Sequence, residues 1–184
     1  MSSAARLRRA YFDCRYGQLH VHQAIPPGGG FDEAAPLVCL PGQQGTGRFF
    51  YPVLATLGAD RSIYAPDLPG FGESDSAGTE AGAEQYALAV LDLLDSLRQR
   101  RVDVLAHAEG AEAAVAMETL RPQALIRRLA LCGASPQSVE AARRLNIAFR
   151  ELQPPSRAAE GVSGVAEMSQ VAELVEFFGS APAT

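Results

Sequence analysis

The sequence contains no lysine, so all 16 of its basic residues are arginine. Without an amine side chain, the protein cannot form a Schiff base with a carbonyl substrate or use a P-loop lysine to bind phosphates. Cysteine is also scarce, with Cys14, Cys39 and Cys132 widely spaced along the chain. An odd, scattered set of this kind favours reduced thiols over a disulfide framework, and it predicts a cytoplasmic protein.

Long apolar runs are absent as well. No stretch approaches the roughly 20 apolar residues that cross a bilayer, and the basic start Met1–Arg9 leads into no apolar region of the kind found in secretion signals. The net charge is −5 with scattered acidic groups, so no face looks suited to neutralising phosphates. We therefore expect no membrane partner and no nucleic acid partner.

The bulk composition is that of one globular domain spanning 1–184. Of the 184 residues, 47% are hydrophobic and 20% are charged, which is enough apolar material for a sizeable core.

Short apolar runs alternate with helical periodicity after an opening hairpin at 10–25. Strands are predicted from short apolar runs at 36–40, 61–65, 102–106 and 125–132, of which the first ends at Pro41-Gly42 and the second at Pro66-Asp67. Helices are predicted between them at 48–58, 85–98 and 110–122. This order predicts an α/β fold: a mostly parallel sheet with an opening antiparallel hairpin and helices on both faces.

The chain changes character after Gly133. Two alanine-rich stretches, 136–152 and 162–178, have helical patterns, and no further strand is predicted. We expect an α/β core at 10–134 followed by a helical, cap-like segment at 135–184. Such a fold would leave the strand near 129–132 at a sheet edge, so we also expect a homodimer formed through that edge or through the C-terminal helices.

Three short segments, each at the end of a predicted strand, resemble those of the α/β-hydrolase family. Leu40-Pro41-Gly42-Gln43 is similar to its oxyanion loop, with proline in place of histidine, and Asp67–Asp75 resembles its D-x-P-G-x-G-x-S turn. Val102–Ala111 resembles the strand, nucleophile elbow and helix of members with a G-H-S-x-G elbow. The resemblance covers about residues 10–134 and implies a truncated α/β-hydrolase fold.

The resemblance places Ala108 at the nucleophile position and Ala106 at the first elbow glycine. Alanine has no nucleophilic atom, so covalent catalysis by the family route fails at its first step. The family's acid and histidine follow later strands. With no later strand predicted and no histidine after His107, neither is expected here.

The backbone amides of an oxyanion hole do not depend on side-chain identity. By resemblance these amides belong to Gln43 and Glu109, and Gly42, His107 and Phe49 are the candidate pocket-lining residues. A small carbonyl or carboxylate compound is the expected ligand. Glu109 is also a candidate general base, although a carboxylate at a helix start is explained equally well by the helix dipole.

No cofactor and no metal are expected. His20 and His22 fall in the opening hairpin, and Asp67 and Asp75 flank a Gly-Pro turn where aspartates usually bind local backbone groups. These aspartates lack the further ligands that a metal site needs.

Three interpretations stay open. The chain is a non-catalytic ligand-binding or interaction protein, or it is a hydrolase of a small ester or acyl substrate. In the second case Ala108 replaces the catalytic serine or other residues carry the chemistry. A third interpretation is that the chain is a fragment of a longer protein.

Overall fold

A seven-stranded sheet forms the centre of the molecule. The structure is a computed structural model that describes residues 5–29, 34–42, 45–79, 81–122, 125–145, 147–152 and 168–179. The strands are β1 (Arg6–Cys14), β2 (Gly17–Ile25), β3 (Leu37–Leu40), β4 (Ile63–Pro66), β5 (Val102–His107), β6 (Ile126–Cys132) and β7 (Ala148–Leu152). Their spatial order is β1-β2-β4-β3-β5-β6-β7. The first two strands pair antiparallel to each other and β2 pairs antiparallel to β4, whereas the pairs from β4 to β7 are parallel.

Helices cover both faces of this sheet. They are α1 (Tyr51–Leu57, preceded by a 3-10 turn at Gly47–Phe50), α2 (Ala83–Ser96), α3 (Gly110–Leu120), α4 (Pro136–Arg144) and α5 (Met168–Gly179). One apolar core joins α2, α3 and α4 to one sheet face, and a second joins α1 and α5 to the other. The predicted fold class is thus confirmed. None of the described helices is long and apolar enough to cross a bilayer.

The local sequence explains why the central strands are short. Every residue of β3 and β4 is buried, as expected for parallel strands covered by helices on both sides. Pro41 follows β3 and Pro66 ends β4, so each strand stops where the chain can no longer donate to a ladder. Loops with ligand-binding capacity collect at this carboxyl end of an open α/β sheet.

The prediction that no strand follows residue 133 is wrong. Helix α4 begins at Pro136 as expected but ends at Arg144, and β7 then pairs parallel to β6. The alanine-rich pattern masked the change, because Ala148 and Phe149 fit a helical face as well as a strand. Strand β6 therefore has a paired strand on each side, and β7 forms this edge of the described sheet.

The features that motivated a homodimer are occupied within the chain. Leu174 and Phe178 of α5 are buried in the core on the α1 face, and β6 pairs with β7. The edge strand β7 carries Arg150 and Glu151, and charges on an edge discourage pairing with another chain. The homodimer stays a prediction, as does the division at 134. The helical pattern predicted at 162–178 places its apolar residues on one side. Of these residues, Val162 and Val165 lie outside the described part of the chain, and Val175 is exposed.

A buried charge cluster anchors α5 at the opposite end of the sheet from the family's ligand loops. Asp103, fully buried, accepts hydrogen bonds from Arg61 at 3.2 Å and Arg127 at 3.0 Å. Arg61 also donates to the Phe178 carbonyl at 2.8 Å, and Arg128 donates to the same carbonyl at 2.9 Å. Guanidinium groups thus satisfy carbonyls at the C-terminal end of α5, where the helix dipole favours positive charge.

Candidate functional site

A strained elbow joins β5 to α3. Ala108 has φ +45°, and it is one of two non-glycine residues with positive φ among those described. Its N–H donates to the Cys132 carbonyl at 2.8 Å, which ties the elbow to the end of β6. A left-handed conformation costs an L-residue about 1–2 kcal/mol. The turn geometry expected of a nucleophile elbow is therefore present, with a methyl group at its tip.

Glycine is required on both sides of this elbow. A Cβ on Gly110 would collide with the Leu40 carbonyl and lie 2.8 Å from the Pro41 carbonyl. A Cβ on Gly42 would lie 2.7 Å from the Ala108 Cβ and from the Glu109 Oε2. The loop after β3 therefore packs directly on the elbow, as the resemblance implied. Ala106, at the first elbow glycine, is accommodated because it lies within β5.

The predicted pocket residue His107 packs beside the elbow. Its ring lies 4.5 Å from the Phe49 ring, centroid to centroid. Burial lowers the pKa of His107, and the nearby Glu109 carboxylate partly opposes that shift. Within the part of the chain described, no side chain forms a hydrogen bond to the imidazole, so nothing there orients it for proton transfer.

The other predicted residues are partly placed. Glu109 is exposed and precedes the first turn of α3 as its N-cap. Gln43 lies outside the described residues. Of the two predicted oxyanion-hole amides, only that of Glu109 therefore belongs to a described residue. Residues 49–51 are three consecutive aromatic residues: Phe50 is buried in the core, Phe49 contacts His107, and Tyr51 faces a separate cleft.

That separate cleft contains a cluster which was not predicted. His20 Nδ1 lies 2.8 Å from Asp67 Oδ2, and His22 Nε2 lies 3.5 Å from Asp67 Oδ1. All three residues are buried, with 2% to 5% of the histidines exposed and 2% of the aspartate. The expectation that Asp67 has no further potential ligands nearby is therefore wrong.

Strand pairing brings these three residues together. His20 and His22 are two positions apart on β2 and so lie on one sheet face, and antiparallel pairing aligns Val21 with Pro66, the residue before Asp67. The H-x-H alternation in a predicted strand was the available signal. It could not indicate a site, because the sequence does not show that β2 pairs with β4 across a separation of more than 40 residues.

The turn after β4 holds Asp67 in place. Its Oδ1 accepts from the Gly47 N–H at 2.8 Å and its Oδ2 accepts from the Glu73 N–H at 3.1 Å. Ser74 Oγ donates to the Asp67 carbonyl at 2.7 Å and accepts from the His20 N–H at 2.8 Å. The predicted local backbone role of Asp67 is thus confirmed by the Glu73 amide, alongside the histidine contacts. Asp75 instead accepts from a backbone group that is distant in sequence, the Gln18 N–H of β2.

These contacts keep the aspartate ionised. Burial alone would raise the pKa of Asp67, but hydrogen bonds from His22, His20 and the two backbone amides outweigh burial and hold that pKa well below its usual value. An anionic carboxylate between two imidazoles is the resulting electrostatic arrangement.

An open sheet with parallel central strands, a strained elbow after β5 and a glycine loop against it define a hydrolase-type α/β protein. The model of the alpha/beta hydrolase family matches residues 37–182. The chain belongs to this family.

Solved structures of hydrolases have the same fold. An N-acyl homoserine lactonase, AidH, solved with N-butanoyl homoserine, is 25% identical with a TM-score of 0.61, over 70% of this chain and 46% of that chain. Cfl2 from Burkholderia cenocepacia is 27% identical with a TM-score of 0.61, over 70% and 42%. The epoxide hydrolase CorEH is similar in fold alone, at 23% identity and a TM-score of 0.63, over 71% and 44%. No curated protein sequence matches this chain. The aligned part of the chain thus spans less than half of each of these three proteins.

Proposed function

We propose that this α/β-hydrolase-fold protein binds a small neutral carbonyl compound at its elbow without covalent catalysis. One observation carries the proposal: Ala108 keeps the left-handed elbow conformation while offering only a methyl group. A carbonyl compound bound beside Ala108 would meet no nucleophilic atom at that residue.

The charge at the elbow favours a carbonyl over a carboxylate. A Cβ built on Gly42 would lie 2.7 Å from the Glu109 Oε2 and from the Ala108 Cβ, so a ligand against this loop meets a negative side chain. The start of α3 attracts an anion through its backbone amides, but the Glu109 charge opposes that attraction. An ester, amide or lactone carbonyl accepts the same hydrogen bonds without the repulsion.

The alternative from the same family is a hydrolase in which Glu109 or His107 activates water. The relatives named as a lactonase and an epoxide hydrolase show what the fold does elsewhere. Because Ala108 has no nucleophilic atom, we propose this activity as the second choice. The free state of the cysteines supports the accompanying proposal of a cytoplasmic location.

Binding and turnover can be measured on the same protein. Wild type and Glu109→Gln are titrated with butanamide and with butanoate by NMR, and both proteins are assayed with p-nitrophenyl butyrate. We expect weak butanamide binding to both proteins, butanoate binding that improves in Glu109→Gln, and ester hydrolysis at the buffer rate.

Two outcomes would overturn the proposal. Ester turnover by wild type that Glu109→Gln or His107→Gln abolishes would establish the hydrolase alternative. Resonances near Ala108 that neither ligand moves would show that the elbow binds no small carbonyl compound.

A further inference from the structure

The buried cluster of His20, His22 and Asp67 lies apart from the elbow, near the end of β4 rather than β5. We propose that these three side chains form a binding site for a divalent transition-metal ion such as Zn²⁺. The proposal goes beyond the elbow function and does not depend on it.

The separations between the donor atoms are close to those of a metal site. With bonds of about 2.0–2.1 Å, two ligand atoms in adjacent coordination positions lie about 2.9–3.4 Å apart. The two histidine-to-carboxylate separations are 2.8 Å and 3.5 Å, and all three ligand atoms lie within 4.8 Å of one another. Two imidazoles with one carboxylate are a common donor set for Zn²⁺ and other first-row ions.

Other groups orient two of the three ligands, His22 and Asp67, from outside. His22 Nδ1 lies 3.1 Å from the Tyr51 hydroxyl, which leaves its Nε2 directed at Asp67. The Asp67 carboxylate is positioned by the Gly47 and Glu73 amides. Outer partners of this kind fix ring orientation and carboxylate geometry in metal sites, and losing one typically costs 10- to 100-fold in affinity.

Glycine makes room for the cluster. A Cβ on Gly72, whose φ is +54°, would collide with the Asp67 carboxylate, and a Cβ on Gly47 would collide with the Ala65 carbonyl and lie 3.1 Å from the His22 ring. The backbone thus closes around the three side chains from two loops. A cluster enclosed in this way changes little in shape when a ligand enters.

A metal ion would replace the hydrogen bonds between these side chains. Each neutral imidazole presents a lone pair to the ion by carrying its proton on the other ring nitrogen. For His22 that proton would lie on Nδ1, 3.1 Å from the Tyr51 oxygen.

The cluster opens onto a cleft of about 490 Å³. Arg9 and Arg48 line it together with Glu73, whose carboxylate accepts from the Tyr11 hydroxyl at 2.6 Å. A further coordination position of the ion would face this cleft. Its two guanidinium groups favour an anionic fourth ligand such as hydroxide or a small carboxylate.

Metal binding is tested with Zn²⁺ and Co²⁺ alone, on the full chain without a polyhistidine tag after treatment with a chelator. Titration calorimetry of wild type should give one Zn²⁺ per chain with micromolar or tighter affinity. His20→Gln, His22→Gln and Asp67→Asn preserve size and polarity and should each weaken Zn²⁺ binding by at least about 100-fold. Tyr51→Phe should weaken it by about 10-fold.

Two controls separate this site from other donors. His107→Gln removes the one remaining histidine and Cys14→Ser removes the least buried thiol, and both should bind Zn²⁺ as wild type does. Equal affinity in wild type and in the three cluster variants would overturn the proposal, and so would no binding of Zn²⁺ to wild type at 0.1 mM.

A measurement on wild type covers the case in which the cluster variants do not fold. The Co²⁺ complex should show visible d–d absorption without a thiolate charge-transfer band, and X-ray absorption should give two histidine nitrogens in the first coordination sphere. A sulfur ligand, or a spectrum of fully hydrated Co²⁺, contradicts the site regardless of the variants.

Discussion

Replacing Ala108 with glycine tests the strained elbow through protein stability. An alanine at φ +45° pays about 1–2 kcal/mol for its left-handed backbone, and glycine removes that cost. Two effects act in the opposite direction. Glycine adds about 0.4–1 kcal/mol of backbone entropy to the unfolded chain, and the half-buried methyl gives up roughly half of the ~0.8 kcal/mol of a buried carbon. The net change should lie near zero or slightly in favour of the variant.

The matched control is Ala114→Gly in the middle of α3. Ala114 is fully buried and helical, so this variant loses about 1 kcal/mol of helix propensity and about 0.8 kcal/mol of methyl burial. Its stability should fall by about 2 kcal/mol, or roughly 4–8 °C in Tm for a chain of this size.

Urea unfolding followed by far-UV circular dichroism measures both variants, and the chain has no tryptophan to serve as a fluorescent probe. Replacing alanine with glycine should thus leave the free energy of unfolding nearly unchanged at residue 108 and clearly lower it at residue 114. If Ala108→Gly loses as much stability as Ala114→Gly, the elbow is not left-handed and its assignment is wrong.

Three further predictions follow from other parts of the fold. Asp103→Asn removes the buried charge partner of Arg61 and leaves it only the exposed Asp60. The free energy of unfolding, measured by urea unfolding, should fall by about 3–5 kcal/mol. A loss under about 1 kcal/mol would contradict the anchoring role of this cluster. Burial raises the pKa of all three cysteine thiols, and Cys14 alone is partly exposed. A thiol reagent at pH 8 should therefore modify Cys14 slowly and reach Cys39 and Cys132 only after denaturation. Rapid modification of all three thiols would contradict the described packing. Hydrogen bonds from Arg15 hold the pKa of Asp92 below its usual 3.8, so this carboxylate stabilises the fold above that pH and loses its effect as pH falls below it. Since the pair is partly exposed, Asp92→Asn should cost at most about 1 kcal/mol of folding stability at pH 7 and nothing once Asp92 is protonated in both states. A stability difference between wild type and variant that persists in strong acid would contradict the ion pair.

The succession of β3 to β6 and their intervening helices along the chain could be predicted because short, mainly apolar runs alternate with helical periodicity. The elbow could be predicted from the resemblance of Val102–Ala111 to the family motif, and the structure shows why Gly110 and Gly42 belong there, since a Cβ on either would collide with the facing loop or elbow. Local sequence therefore contains the information for these features.

Strand β7 and the His20–Asp67 cluster could not be predicted in this way. Five residues of mixed polarity, Ala148–Leu152, have no strong period, and their pairing with β6 is decided by the core beneath them. The histidine cluster depends on which strand lies beside β2, and that choice is made by the packing of the whole sheet. Both failures concern long-range pairing rather than local preference.

The central claim is that the elbow has no nucleophile and no oriented base to replace it. Intact-protein mass spectrometry after incubation with p-nitrophenyl butyrate tests the claim directly, on wild type and on Ala108→Ser. Neither protein should gain the mass of a butanoyl group, because the histidine beside the introduced serine is His107, which packs against Phe49 and which no described side chain orients to accept the serine proton. A butanoyl adduct on wild type that forms and then disappears by hydrolysis would contradict the account, since it would place a working nucleophile elsewhere in the chain.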